Sequence, residues 1–291
     1  MQFIRRRRQD KYPHQVLHHH LGDLLGALPV NIEQHIAAFG QRFINGLARR
    51  AIIIVEHHRP FEELAAIAHA GEGLAIDEVV VASLDLAVPH TRTIGGTLYN
   101  ALPVIVTGNT AAIFPRSGVL AYNTTYYVTI DATVFPGFAG IAEPIIWRFT
   151  TRSAAPSSAS TYLTVAADGT GDFCTVQGAI DLIPANNATK RYINIRNGTY
   201  QEIVRVSSKH NLAFRGQNRK RTVIAYPNNS NLNPSTNTRP LFNVAANDIS
   251  FDNLTLHNTT PDGGSQAEAL RVNTQRCVVN NCDLRSYQDT F

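Results

Sequence analysis

The sequence predicts an all-β fold, with a parallel β-helix over residues 161–291 and a small β-sandwich ahead of it. Three observations carry that prediction. Short β-rich runs with Asn and Gly at their corners follow one another from "YLTVAA" to "CVVNNCDL". The runs also repeat: "DISFDNLTL" (248–256) lies over "RCVVNNCDL" (276–284), setting Ile249 over Cys277, Phe251 over Val279, Asn253 over Asn281 and Leu256 over Leu284. The earlier "NLAFRG" puts Leu212 and Phe214 in the same places. Finally, 44% hydrophobic and 16% charged residues, with 19 Gly and 14 Pro, suit a turn-rich globular chain rather than a disordered or coiled-coil one. Repeats made only of strands argue for stacked coils, which bury Leu, Ile, Val and Phe in one column and leave the matched Asn residues to form a ladder at a turn.

The 291 residues are enough for two domains, each with its own core. Residues 1–77 form no recognisable module. They hold eight of the eleven histidines, among them His14 and His18 to His20, and Ile32, Ile36, Phe39 and Phe43 recur at helical spacing. This weakly helical, His-rich texture, set against an abrupt change near Glu78, reads as a segment foreign to the rest of the protein. The histidines lack a Cys or carboxylate pattern with ligand spacing, so no metal site is expected.

From 78 to 152 the texture turns to short alternating runs separated by Gly, Pro and Asn. In "YNTTYYVTID" the spacing sends Tyr126, Val128 and Ile130 to one face and Thr125, Tyr127, Thr129 and Asp131 to the other. "SAAPSSAS" (153–160) is a small-residue linker and marks a domain boundary. One helical break interrupts the solenoid region: "DFCTVQGAIDLIP" sets Phe173, Val176, Ile180 and Ile183 on one face, and a helix there would cap the open end of the coils.

The three cysteines, Cys174, Cys277 and Cys282, form neither a disulfide framework nor a zinc pattern and read as small core residues. Of the net charge of +4, four positive charges belong to the single run Arg5 to Arg8, so the balance does not by itself indicate a nucleic-acid partner. No apolar run reaches the roughly 18 residues of a membrane span. The apolar stretch after the basic start is broken by His, Asp, Gly and Pro, so no signal peptide is visible.

Four motifs then occur in order: "VAADGTGDFCTVQGAIDLIP" (165–184), "NGTYQEIVRV" (197–206), "QAEAL" (266–270) and "YQDTF" (287–291). Together they closely resemble the opening half of the pectinesterases. The strand "LAYNTTYYV" and the closing "WRFTT" likewise make residues 78–152 resemble bacterial immunoglobulin-like modules. The first resemblance implies a right-handed parallel β-helix of the pectin lyase-like kind, acting without cofactor or metal on methyl-esterified polygalacturonate. It implies Gln266 and Gln288 as oxyanion donors and Asp289 as general acid and then base. It also suggests Tyr287 and Glu268 as substrate-side residues, Tyr287 by stacking on a sugar ring and Glu268 at the rim. The resemblance further implies an extracellular or cell-surface place of action and a monomer.

The nucleophile of that family is a second Asp in a later "DFIFG"-type motif, followed by an Arg and aromatics. None of these occurs in the 291 residues, so the chain is expected to be C-terminally truncated and inactive alone. Each site residue also has a plainer reading. Gln266 could cap a turn, Asp289 could be a solvated carboxylate, Glu268 an exposed strand residue and Tyr287 a surface-packing ring. A non-catalytic, polysaccharide-binding solenoid is the competing function. A pectate lyase would need clustered acidic calcium ligands, and no such cluster stands out in the sequence.

Overall fold

The computed structural model describes residues 17–20, 51–57, 78–85, 89–107, 110–114, 120–132, 134–135, 137–142 and 147–291. Its first strands are β1 (Leu17–His20), β2 (Ala51–His57) and β3 (Glu78–Asp85). A hairpin follows, of β4 (His90–Ile94) and β5 (Thr97–Ala101). Next come β6 (Val104–Thr107), β7 (Thr110–Ile113), β8 (Thr125–Ile130) and β9 (Arg148–Thr150). They build a four-stranded antiparallel sheet in the order β3-β2-β8-β9 and a three-stranded one in the order β1-β7-β6.

The expected helical character of the first 77 residues fails at β2. Its Ile52-Ile53-Ile54-Val55 run is β-branched throughout, which costs side-chain freedom in a helix and packs well in a sheet. The boundary expected at 78 fails with it, because Ile52 pairs with Ile130 and Ile54 with Val128 in the same sheet. The proposed helix around Ile32 to Phe43 lies outside the described residues. In β8, Tyr126, Val128 and Ile130 are buried as their spacing predicts, but Tyr127 is buried too, so this strand is covered on both faces there.

The β4–β5 hairpin belongs to the solenoid in packing. Ile94 and Tyr99 join the solenoid's core rather than the sandwich's. Asn100 N–H donates to Asn233 Oδ1 at 2.9 Å, Asn233 Nδ2 returns a bond to the Asn100 carbonyl at 3.0 Å, and Leu102 N–H donates to the Tyr226 hydroxyl at 2.7 Å. The turn needs Gly95, which has φ +53° and whose added Cβ would lie 2.7 Å from the Arg205 carbonyl oxygen. The expected module of 78–152 is therefore split between two cores.

The solenoid starts with β10 (Tyr162–Val165) and the single helix of the described residues, α1 (Val176–Leu182). Three coils follow, each of three strands. These are β11 (Arg191–Ile195), β12 (Gly198–Gln201) and β13 (Val204–Ser207); then β14 (Leu212–Gly216), β15 (Thr222–Tyr226) and β16 (Phe242–Ala245); then β17 (Ile249–Asp252), β18 (Thr255–Asn258) and β19 (Leu270–Val272). A fourth coil contributes β20 (Cys277–Asn280) and β21 (Asp283–Arg285). Equivalent strands pair in parallel into three sheets, β10-β11-β14-β17-β20, β12-β15-β18-β21 and β13-β16-β19, which is a parallel β-helix.

The register is the one the repeats predict: Ile249 lies opposite Cys277, Phe251 opposite Val279, Leu256 opposite Leu284 and Phe214 opposite Phe251. Inside the coils Phe214 stacks on Phe251 at 5.1 Å, and Phe242 meets both edge-on at 5.3 and 5.0 Å. The Asn ladder forms as well. Asn253 and Asn281 both adopt positive φ, and Asn281 Nδ2 donates to Asn253 Oδ1 at 3.0 Å.

Helix α1 closes the first coil, burying Val176, Ala179 and Ile180 against β10, β11 and β13. Thr175 caps it, and Glu202 adds a second cap by accepting from the Val176 and Gln177 N–H groups at 2.7 and 2.9 Å. Burial pushes the Glu202 carboxyl from its ordinary 4.5 up to about 7, against the pull of those two donors and of the nearby Arg92. A carboxyl that holds its proton more tightly folded than unfolded adds stability at low pH and loses it as pH rises. Unfolding free energy from denaturant titration is thus expected to fall between about pH 4.5 and about pH 7. Glu202→Gln should flatten that slope; an unchanged slope would assign it to another group. Among the described residues no helix is long and apolar enough to cross a membrane.

Candidate functional site

In each coil the chain turns between the second and third sheets, and these turns stack. In the first coil the turn is only Glu202 and Ile203. In the second it grows to 227–241 and in the third to 259–269, while residues 286–291 follow β21 in the fourth. Gln266 sits in the third of these turns, and Tyr287, Gln288 and Asp289 in the fourth.

Buried amides hold the long turns in place. Asn228 Nδ2 donates to the carbonyls of Thr238 at 2.7 Å and Pro240 at 2.8 Å, closing the second turn on itself. Asn258 Nδ2 bridges the second and third turns by donating to the Asn228 carbonyl at 2.6 Å and the Glu268 carbonyl at 2.9 Å. Both asparagines are fully buried, so their bonds replace water that the turns exclude.

The fourth turn is tied to the third in the same way. Leu270 N–H donates to the Thr290 carbonyl at 3.2 Å, and the Ser286 hydroxyl donates to the Ala267 carbonyl. Asp289 takes a left-handed backbone, φ +53°, which Asp tolerates better than most residues. The effect is to set "QDT" over "QAEAL" one coil apart. An open pocket of about 370 Å³, within the range of small-ligand sites, is lined by the 260–265 turn and by Ala267, Tyr287 and Gln288. Tyr287 is 72% exposed there, and Gln288 and Asp289 are exposed as well.

Gln266 is exposed and does not itself line that pocket. Its Oε1 accepts from Arg239 Nη1. Arg239 also grips Glu268 with two nitrogens: Nε lies 2.8 and 3.0 Å from the two carboxylate oxygens, and Nη2 lies 2.7 Å from Oε1. The Glu268 hydrogen bond holds the Arg239 guanidinium above its already high range, and Asp289 adds a Coulombic pull in the same direction.

The expectation for Glu268 therefore needs correction. It is not an exposed strand residue: it is 7% exposed, and its carboxylate is committed to Arg239. The physical reason is its place in "QAEAL", between Ala267 and Ala269, which are themselves buried. Arg239 was missed altogether. The available signal was indirect: an acidic residue between buried apolar neighbours needs a cation nearby.

Tyr200 is buried, with its hydroxyl donating to the Arg196 carbonyl at 2.8 Å, and Arg215 lies 4.1 Å over the Tyr192 ring. Cys174, Cys277 and Cys282 form no disulfide and are half-buried.

Residues 162–291 match the Pectinesterase family model. Pectinesterase 31 of Arabidopsis thaliana is 33% identical over 138 residues, covering 44% of this chain and 44% of its own length. Pectinesterase 1 of Citrus sinensis is 38% identical over 137 residues, covering 46% of this chain and 23% of its own length. Among solved structures, a pectin methylesterase from carrot is 30% identical with a TM-score of 0.42, over 45% of this chain and 41% of that one. The chain thus spans less than half the length of these relatives. The match begins at β10, where the β-helix also begins.

Proposed function

We propose that this chain is part of a carboxylic ester hydrolase that removes methyl groups from methyl-esterified polygalacturonate, leaving pectate and methanol. The observation that carries the reading is the tie between successive turns, in which Leu270 bonds to Thr290 and Ser286 to Ala267, setting "QDT" over "QAEAL". In the proposed chemistry the nucleophile is the second Asp that the family resemblance implies, outside the residues described: its carboxylate adds to the ester carbonyl and the C=O electron pair moves onto the oxygen. The side-chain N–H groups of Gln266 and Gln288 donate to that oxyanion without adding net charge. Asp289 gives its proton to the departing methoxide, and then takes one from the water that hydrolyses the acyl intermediate. The residues described supply the donors and the acid, and the reading is confined to those two roles. Tyr287 offers an exposed ring for a sugar face beside them. A wall polysaccharide as substrate places the action outside the cell or at its surface.

A methanol-release assay on the protein expressed from its full gene tests this. Gln288→Ala is expected to lower kcat by about 100- to 1,000-fold with little change in KM, the usual effect of deleting one oxyanion donor. A protein that binds methylated pectin but releases no methanol with its site intact would replace the esterase with a polysaccharide-binding solenoid.

A further inference from the structure

Arg239 has no donor-acceptor ambiguity, because a guanidinium only donates. Its contact with Gln266 is at the amide oxygen, so the Gln266 N–H2 group is directed away from it. An exposed Gln on a turn would otherwise rotate freely and offer oxygen or nitrogen to the groove alike. We propose that Arg239 is a positioning residue that fixes the Gln266 amide by its oxygen, leaving its N–H2 turned away from the guanidinium and free to donate to an oxyanion. This rests on the esterase reading of Gln266 given above.

The clamp is braced at every end. Two nitrogens of the fork are spent on Glu268, which leaves Nη1 at a set place for Gln266. The Glu268 backbone is itself held, its carbonyl accepting from Asn258 Nδ2 and from Leu241 N–H, both at 2.9 Å. The Arg239 backbone is held by its N–H bond to the Ser235 carbonyl at 2.9 Å and by the Asn228 bonds to Thr238 and Pro240 on either side. Glu268 also neutralises the guanidinium, so the groove gains an oriented dipole rather than a free positive charge. A lysine could not do this, because one ammonium cannot span a carboxylate and an amide oxygen with fixed geometry.

The test has two arms. In the 291-residue chain, the order of the Gln266 side-chain N–H2 group is read by 15N relaxation. Arg239→Met alone strands the Glu268 carboxylate and can impair folding, so the deciding variant is Arg239→Met with Glu268→Met, which removes the pair whole and keeps its volume. The amide is expected to become mobile in that double variant while the melting temperature holds. An amide as rigid as before would overturn the proposal.

In the full gene product, the double variant is expected to lower kcat about 10-fold or more with KM nearly unchanged, and to have no further effect once Gln266 is Ala. Normal turnover in the double variant, with Gln266→Ala strongly impaired, would sink the positioning role and leave the esterase reading standing. Normal turnover in Gln266→Ala would remove Gln266 from the chemistry, whatever the amide order shows.

Discussion

Asp289→Asn is expected to lower methanol release by about 100- to 10,000-fold, the range in which a positioned acid–base group contributes. The substitution is clean for structural reasons. Asp289 sits at φ +53°, a left-handed backbone that Asn adopts at least as readily as Asp, so the turn that stacks "QDT" on "QAEAL" should survive. Its side chain is exposed, and no core contact is lost. What disappears is the titratable carboxyl, its proton and its charge together: an amide of the same shape can neither protonate a methoxide nor take a proton from water. The measurement is kcat for the full gene product on methylated polygalacturonate, paired with a thermal melt. An unchanged melt with lost turnover is the expected outcome, and turnover near that of the unsubstituted protein would take Asp289 out of the chemistry.

Phe251→Ala is expected to cost the solenoid about 3–5 kcal/mol. Phe251 is fully buried, stacks on Phe214 and meets Phe242 edge-on. Truncating it removes its transfer energy, opens a cavity and breaks two aromatic contacts at once. Because each coil leans only on its neighbours, the loss falls on the coil that also carries Gln266. Val278→Ala in the adjacent coil supplies the contrast: Val278 is 58% exposed, so its truncation should stay within about 0.5 kcal/mol. Denaturant titration of both variants compares them directly. Equal effects would show that the aromatic column is not what holds the coils.

Much of this molecule is written in local and periodic signals. The strand repeats specify the register because a one-residue slip would turn every core side chain outward, so Phe251 must face Val279 and Leu256 must face Leu284. The cap helix is legible for the same reason, its apolar residues recurring at helical spacing behind Thr175. The candidate site is legible as far as its motifs reach: Gln266, Gln288 and Asp289 sit in short runs whose order survives without any knowledge of packing. The helical reading of 51–57 failed because spacing over a wide window outweighed a local β-branched run.

By itself, the sequence determined the coil, its register and the three polar groups brought to one line of turns, since a repeat fixes what stacks on what. Only the tertiary structure decided that Arg239 meets Glu268, 29 residues away, that Glu202 caps a helix 26 residues before it, and that the 90–101 hairpin leaves its sandwich for the solenoid. Such pairings follow no period. They depend on how far each turn reaches and which side chains face each other across it, and a buried charge settles on whatever partner that geometry supplies.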